Sequence, residues 1–332
     1  MKNALVIDLL DEPGHVNTNI RLIEILKQSH NITLITNDCY AENFKVLNVK
    51  QFVIKKNNFS GGFGYRLSQL LSLLNVRKFA LDGRYEFVMF LAYETISMSV
   101  FSRLIPKYVR KKIFIFNHNN IDQALGNKIK NFFFKRISSD VNHLVYEKYI
   151  KEFLEERYKK KSIVVSHPIP KVDEFLDDDK VLQVFSPSAG GKIYNQDIIQ
   201  YSSGSRDVKF ILKGDIEFES SNCVVKRYFD DYFDLLRKSA FVFIPVNYDY
   251  RVSGVVYEAL ANNCWVVMLD SLFAREISNR YPGEIFVIRN INELSDVISG
   301  LTLENLNTSA VYTTNSDQDV FKNYQDMFKS FL

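Results

Sequence analysis

The sequence predicts an α/β protein of two successive domains, each built on a parallel sheet. Two observations carry that expectation. Short runs rich in Val, Ile and Phe alternate with helical patterns through both halves of the 332 residues, the signature of βαβ units. Near the middle, SIVVSHPIP at 162–170 breaks the series with two prolines and is followed by acidic residues at 173–179. Residues before proline are pushed to extended conformations, so this segment reads as a linker.

The first series has expected strands at 4–10, 31–36, 51–54, 87–91, 112–117 and 143–146, with helices such as 19–28 and 65–74 between them. The second has strands at 181–185, 208–212, 223–226, 241–245, 265–269 and 285–288, and helices at 232–237, 255–262 and 291–300. The expected domains are Rossmann-like, spanning 1–166 and 167–318. A closing amphipathic helix, 319–332, is free to pack back on the first. In such sheets ligands bind beyond the carboxyl ends of the strands, so two facing sheets predict an interdomain cleft.

A hydrophobic fraction of 46% excludes a disordered chain. Cys39, Cys223 and Cys264 show no CxxC or metal spacing, so reduced thiols and no metal are expected. The start, MKNALVIDLL, has a short apolar run followed by Asp8 and Asp11 and is not expected to act as a signal peptide. No window offers about 18 uninterrupted apolar residues. These features predict a cytoplasmic protein. The net charge of +3 hides a division: residues 1–166 hold 26 Lys+Arg against 15 Asp+Glu, and residues 167–332 hold 16 against 24. A basic first half fits an anionic surface, membrane or nucleic acid, or a plain solvated face. No nucleic-acid motif is present.

The most informative stretch is 241–277, FVFIPVNYDYRVSGVVYEALANNCWVVMLDSLFAREI, which reads strand, loop, helix, strand, helix. Ser253 and Gly254 precede the helix, whose first N–H groups from Val255 onward are free to bind a diphosphate. Glu258, one turn in, could accept hydrogen bonds from two ribose hydroxyls. A simple helix cap and a surface charge suit the same residues.

The stretch resembles the C-terminal signature of retaining glycosyltransferases of family 4, which have the GT-B fold. Pro245, Gly254, the run Glu258-Ala259-Leu260-Ala261-Asn262-Asn263, Val266-Val267 and Asp270 match that layout. The resemblance implies a nucleoside-diphosphate sugar as donor, held by the second domain, with Glu258 on the ribose and no obligatory metal or cofactor. It also expects a Glu eight residues before Glu258, where this chain has Tyr250, and an Arg where it has Ser186. Lys192, beyond the small-residue loop 186–191, matches the family's lysine, and Lys213 in FILKGD is a second candidate for the leaving phosphates.

In the first domain Gly14 and His15 lie after the first strand, where GT-B enzymes line the acceptor pocket. His15 also suits a plain helix entry. His118, at the end of the fifth strand, is the preferred catalytic residue, acting by hydrogen bonding or electrostatic support. Asp122 suits a helix cap, and His167-Pro168 an extended crossover. Two stretches interleave cations with aromatics: KKNNFSGGFGYR at 55–66, with glycines that would keep it mobile, and KIKNFFFKR at 128–136. Both fit contact with an anionic membrane at its inner face, though the Phe triplet also suits a core. The expected function is transfer of a sugar to a glycan or lipid-linked hydroxyl, and the resemblance implies a setting in cell-surface polysaccharide synthesis. The main alternative is a non-catalytic GT-B-like subunit that binds nucleotide sugar or a partner protein.

Overall fold

A computed structural model describes residues 1–10, 15–57, 59–169, 180–188, 192–202, 208–306 and 308–331, with the backbone alone at 192–195 and 201. The chain divides into two compact units. Unit 1 is Met1–Pro168, Tyr250–Val252 and Asp317–Leu332; unit 2 is Ile169–Asp249 and Ser253–Ser316.

Unit 1 holds seven strands: β1 (Lys2–Asp8), β2 (His30–Asn37), β3 (Lys50–Ile54), β4 (Tyr85–Phe90), β5 (Ile113–Phe116), β6 (Asn142–Val145) and β7 (Ser162–Val164). They form one sheet in the order β3-β2-β1-β4-β5-β6-β7, and each pairing is parallel. The helices are α1 (Val16–Lys27), α2 (Gly61–Ala80), α3 (Thr95–Leu104), α4 (Lys107–Arg110), α5 (Asn120–Gly126), α6 (Lys128–Arg136) and α7 (Lys148–Tyr158). Side chains alternate across a strand, so Leu5 and Ile7 join the core under α2 to α7, whereas Ala4 and Val6 join the core under α1. Both faces are covered, and the central strands are therefore apolar without a polar stripe.

Two expectations for this half need correction. Residues 162–164 of the expected linker are β7, paired to β6 on the sheet edge. The glycines of 55–66 are not a mobile loop: Gly61, Gly62 and Gly64 form the first turn of α2. A Cβ at Gly64 would stand 2.7 Å from the Cβ of Phe59, so glycine is required for residue 59 to fold against that turn.

Unit 2 is built from β8 (Val181–Ser186), α8 (Lys192–Ser202), β9 (Lys209–Lys213), β10 (Phe218–Glu219), β11 (Cys223–Lys226), α9 (Tyr232–Lys238), β12 (Ser239–Ile244), α10 (Gly254–Ala261), β13 (Trp265–Leu269), α11 (Leu272–Arg280), β14 (Ile285–Ile288), α12 (Glu293–Ser299) and α13 (Val311–Thr314). Its sheet order is β10-β11-β9-β8-β12-β13-β14. All pairings are parallel except the two-residue β10, which runs antiparallel to β11. The chain then returns to unit 1 as α14 (Asp317–Phe331). Its buried face, Val320, Tyr324, Met327 and Phe328, enters the same core as α1.

Among the described residues no helix is long and apolar enough to cross a membrane, and no group of three or more His, Cys, Asp or Glu could hold a metal ion. Among the described residues no disulfide forms; Cys39 is exposed and Cys223 and Cys264 are buried.

Candidate active site

In a doubly wound sheet the ligand crevice opens where the strand order reverses, at the carboxyl ends of the strands. In unit 2 that reversal lies between β8 and β12, with β9 beside β8. Several of the sequence candidates follow from these ends, and so does Ser186, where the resemblance expects an Arg. Ser186 closes β8, Lys213 closes β9, and the loop after β12 leads into α10. Lys192 opens α8 on the chain after β8, but its side chain lies outside the described residues. Lys213 places its Nζ 5.7 Å from the Tyr228 ring centre.

Ser253 is the N-cap of α10, extended at φ −97° and ψ 116°, and its side chain makes no cap hydrogen bond. Its carbonyl accepts from the Val256 N–H at 3.2 Å. Ser253 is buried, while Gly254 and Val255 are half-buried. The opening amide groups of a helix have no partner inside it, so this end presents donors and the positive pole of the dipole. The helix closes at Asn263, whose φ is +51°. Glycine adopts this left-handed region most readily, and Asn is the side chain that best tolerates it.

Glu258 is not a surface charge. It is 8% exposed, and its Oε2 accepts a hydrogen bond from the Tyr232 hydroxyl. Burial pushes its carboxyl pKa up, and the Tyr232 hydrogen bond works against that rise by favouring the anion. Tyr232 is itself fixed by edge contacts to Phe185 at 5.6 Å and Phe233 at 5.0 Å. Sequence reasoning missed Tyr232; it stands 26 residues from its partner, and no local pattern links the two. Tyr232→Phe is expected to destabilise unit 2 by about 1.5–3 kcal/mol at neutral pH, the worth of a hydrogen bond to a charged group. The deficit should shrink as pH falls and the carboxyl protonates, because the lost bond favours the ionised form. Urea unfolding of both proteins at neutral and acidic pH checks this; equal deficits at both would reject it.

In unit 1 the reversal lies between β1 and β4. His15 precedes α1 in the loop after β1, and His118 follows β5. Their rings meet at 4.3 Å between centres. Gly14 lies outside the described residues. His118 donates from Nε2 to the Leu91 carbonyl at 2.7 Å, which makes Nδ1 the acceptor nitrogen of the neutral ring. The loop that carries His118 is pinned on both sides. Asn117 accepts from the Tyr93 hydroxyl at 2.7 Å, and Asn120 donates to the Tyr93 carbonyl at 3.0 Å.

A third histidine joins this group. His167 donates from Nδ1 to the Pro168 carbonyl at 2.8 Å and packs on Tyr146 at 4.6 Å, which neighbours His118 at 6.4 Å. Burial, then the charge of His167, lowers the His15 pKa to about 4. Burial likewise lowers His167 to about 3. Both rings are neutral near pH 7, so they offer hydrogen bonds rather than positive charge.

Tyr250 and Asp122 serve packing. Tyr250 stacks on Phe153 at 3.9 Å, and its N–H donates to Asp122 Oδ1 at 3.1 Å. Arg251 Nε lies 3.5 Å from Asp122 Oδ2. Asp270 is gripped by Arg275 through two contacts of 2.5 and 2.6 Å.

No family model matches the chain, and no curated protein does. Solved structures match it along nearly its whole length. Anabaena Alr3699/HepE in complex with UDP and glucose is 13% identical, with 100% of this chain and 96% of that one covered at a TM-score of 0.63. CalG4, the calicheamicin glycosyltransferase, is 12% identical, covering 100% and 98% at 0.55. The fold is GT-B. A Listeria monocytogenes protein assigned as a UDP-N-acetylglucosamine 2-epimerase shares it, at 12% identity, 99% and 96% coverage and a TM-score of 0.64. The GT-B fold thus serves more than one kind of protein, and the function of this chain has to be argued from its site.

Proposed function

We propose that this chain is a glycosyltransferase that moves a sugar from a nucleoside-diphosphate sugar to a hydroxyl of a glycan or lipid-linked acceptor. The observation that carries the reading is the pairing of a helix amino end without a side-chain cap, Ser253 to Val255, with a buried carboxylate one turn on, Glu258. The amides receive the diphosphate and Glu258 receives the ribose hydroxyls. Lys192 and Lys213 add positive charge for the leaving phosphates. Unit 1 receives the acceptor through Gly14, His15 and His118, with His118 as the hydrogen-bonding group of the reaction.

In the reaction the bond from the anomeric carbon to the diphosphate breaks and a bond to the acceptor oxygen forms. The acceptor proton leaves to a phosphate oxygen of the departing nucleotide. The family resemblance favours retention at the anomeric carbon, no obligatory metal and a role in cell-surface polysaccharide assembly, while the stretches 55–66 and 128–136, which interleave cations with aromatics, favour a place at the inner face of the membrane. No nucleic-acid partner is assigned. Structural neighbours that carry UDP support the nucleotide part of the reading.

The second reading is a non-catalytic subunit that binds nucleotide sugar. Tyr250 favours it, because its ring is stacked on Phe153 at the position where the resemblance expects a sugar-contacting Glu. Ser186 in place of Arg favours it too. Thermal shift against UDP, ADP, GDP and CDP, followed by turnover of the matching sugar nucleotides in excess EDTA, separates the readings. Catalysis predicts stabilisation by at least one diphosphate and release of that diphosphate without metal. Stabilisation without turnover supports the second reading, and no stabilisation by any of the four overturns both.

A further inference from the structure

Four of the six helices on one face of unit 1 share an unusual charge pattern. Helices α2, α3, α4 and α6 together hold ten Lys and Arg and no Asp or Glu. They lie in one layer over a single sheet face, with α2 against α3 and α3 against α6. Among the described residues only two of the ten cations, Arg66 and Arg110, have a carboxylate within 4.0 Å. The same sheet face also carries α5, whose Asp122 is taken up by the Tyr250–Arg251 segment, and α7, which balances three Glu with two Lys and one Arg.

The same layer exposes large apolar side chains. Phe63 is 79% exposed, Tyr108 66%, Ile129 62% and Phe132 48%. Phe59, also exposed, is brought against the first turn of α2 by the close approach at Gly64. The FFF run divides by helical geometry: Phe134 is buried in the core, while Phe132 faces out with the Arg136 guanidinium 3.8 Å above its ring. An ordinary solvated face mixes both signs of charge and does not expose an aromatic or aliphatic side chain on each of its helices. On the opposite face α14 mixes its charges, with three Asp and two Lys.

We propose that the acid-free helical layer α2–α3–α4–α6 of unit 1 docks on an anionic lipid surface, with Phe63, Ile129 and Phe132 entering the interface while the lysines and arginines meet the headgroups. Cations flanking exposed aromatics supply both parts of such binding. The charge gives long-range attraction to anionic headgroups, and the apolar side chains give the short-range anchor. Neither segment 55–66 nor segment 128–136 suffices alone; the docking element is the layer that joins them. The proposal goes beyond glycosyl transfer and stands without it, since binding is read with no nucleotide present.

The test is co-sedimentation of the full chain with vesicles of phosphatidylcholine alone or an about 2:1 mixture with phosphatidylglycerol, at low and physiological salt. The mixture is expected to bind the protein at least roughly tenfold better than the neutral vesicles, less so as salt rises. Phe63→Ser with Ile129→Ser, and separately Lys128→Glu with Lys135→Glu, should each lower that binding by roughly tenfold or more. Lys322→Glu with Lys329→Glu on α14 should leave it unchanged, and circular dichroism checks that each variant is folded. Equal binding to both vesicle types, no binding at low salt, or an equal loss in the α14 pair overturns the proposal. So does a layer that takes up polyglutamate or duplex DNA with the same residue dependence while ignoring vesicles.

Discussion

Glu258→Ala is expected to lower affinity for the cognate nucleoside diphosphate roughly a hundredfold, measured by calorimetric titration. A carboxylate that accepts both ribose hydroxyls makes two charge-assisted bonds worth about 1.5 kcal/mol each, and each 1.4 kcal/mol is about tenfold in affinity. Glu258→Gln keeps the shape and one acceptor oxygen, so it should lose about tenfold on the same reasoning. A 2′-deoxy nucleotide should bind wild type weakly and the alanine variant no worse than its ribose counterpart. The pH dependence has a defined sign. Burial raises the Glu258 pKa above its usual 4.5, and the anion is the better acceptor, so affinity should fall on acidification earlier than an exposed glutamate would allow. Unchanged affinity in Glu258→Ala would remove the ribose contact and with it the core of the donor assignment.

The other large effect concerns stability. Phe328 on α14 stacks on Phe87 with ring centres 4.1 Å apart and planes at 13°. It meets His30 at 5.2 Å and Phe114 at 6.0 Å edge-on. These contacts tie the last helix to the central strands of unit 1. Phe328→Ala removes a nearly buried aromatic and leaves a cavity, a change that costs about 3–5 kcal/mol. For a unit of this size that is a fall in Tm of roughly 10 °C. The unit 1 transition should move while that of unit 2 stays, resolved by calorimetry with and without nucleotide. A shift below about 1 kcal/mol, the size of an ordinary surface change, would mean that α14 does not hold the sheet.

Much of the fold was legible because central parallel strands are apolar on both faces. FIFIF-like and VVML-like runs announce themselves without reference to the rest of the chain. What failed to show were elements whose identity is decided by neighbours. Ser162–Val164 is too short for a periodicity of its own and becomes a strand because β6 offers it an open edge. The glycines at 61–64 look like loop residues locally, and only the approach of Phe59 to Gly64 shows why they open a helix. The candidate site divides in the same way. Ser253, Gly254 and Glu258 were readable as a turn, a cap and a one-turn spacing. Tyr232 and His167 were not, since each matters through a partner distant in sequence.

The membership of Tyr250–Val252 and Asp317–Leu332 in unit 1 bears on how this protein can be dissected. Neither unit is an unbroken piece of polypeptide, so a gene truncated after residue 168 encodes a sheet with Phe87 and Phe114 stripped of their cover, a product suited to inclusion bodies. Limited proteolysis cannot liberate either unit whole by a single cut. During synthesis the ribosome must finish the final helix before the half made first can complete its own interior.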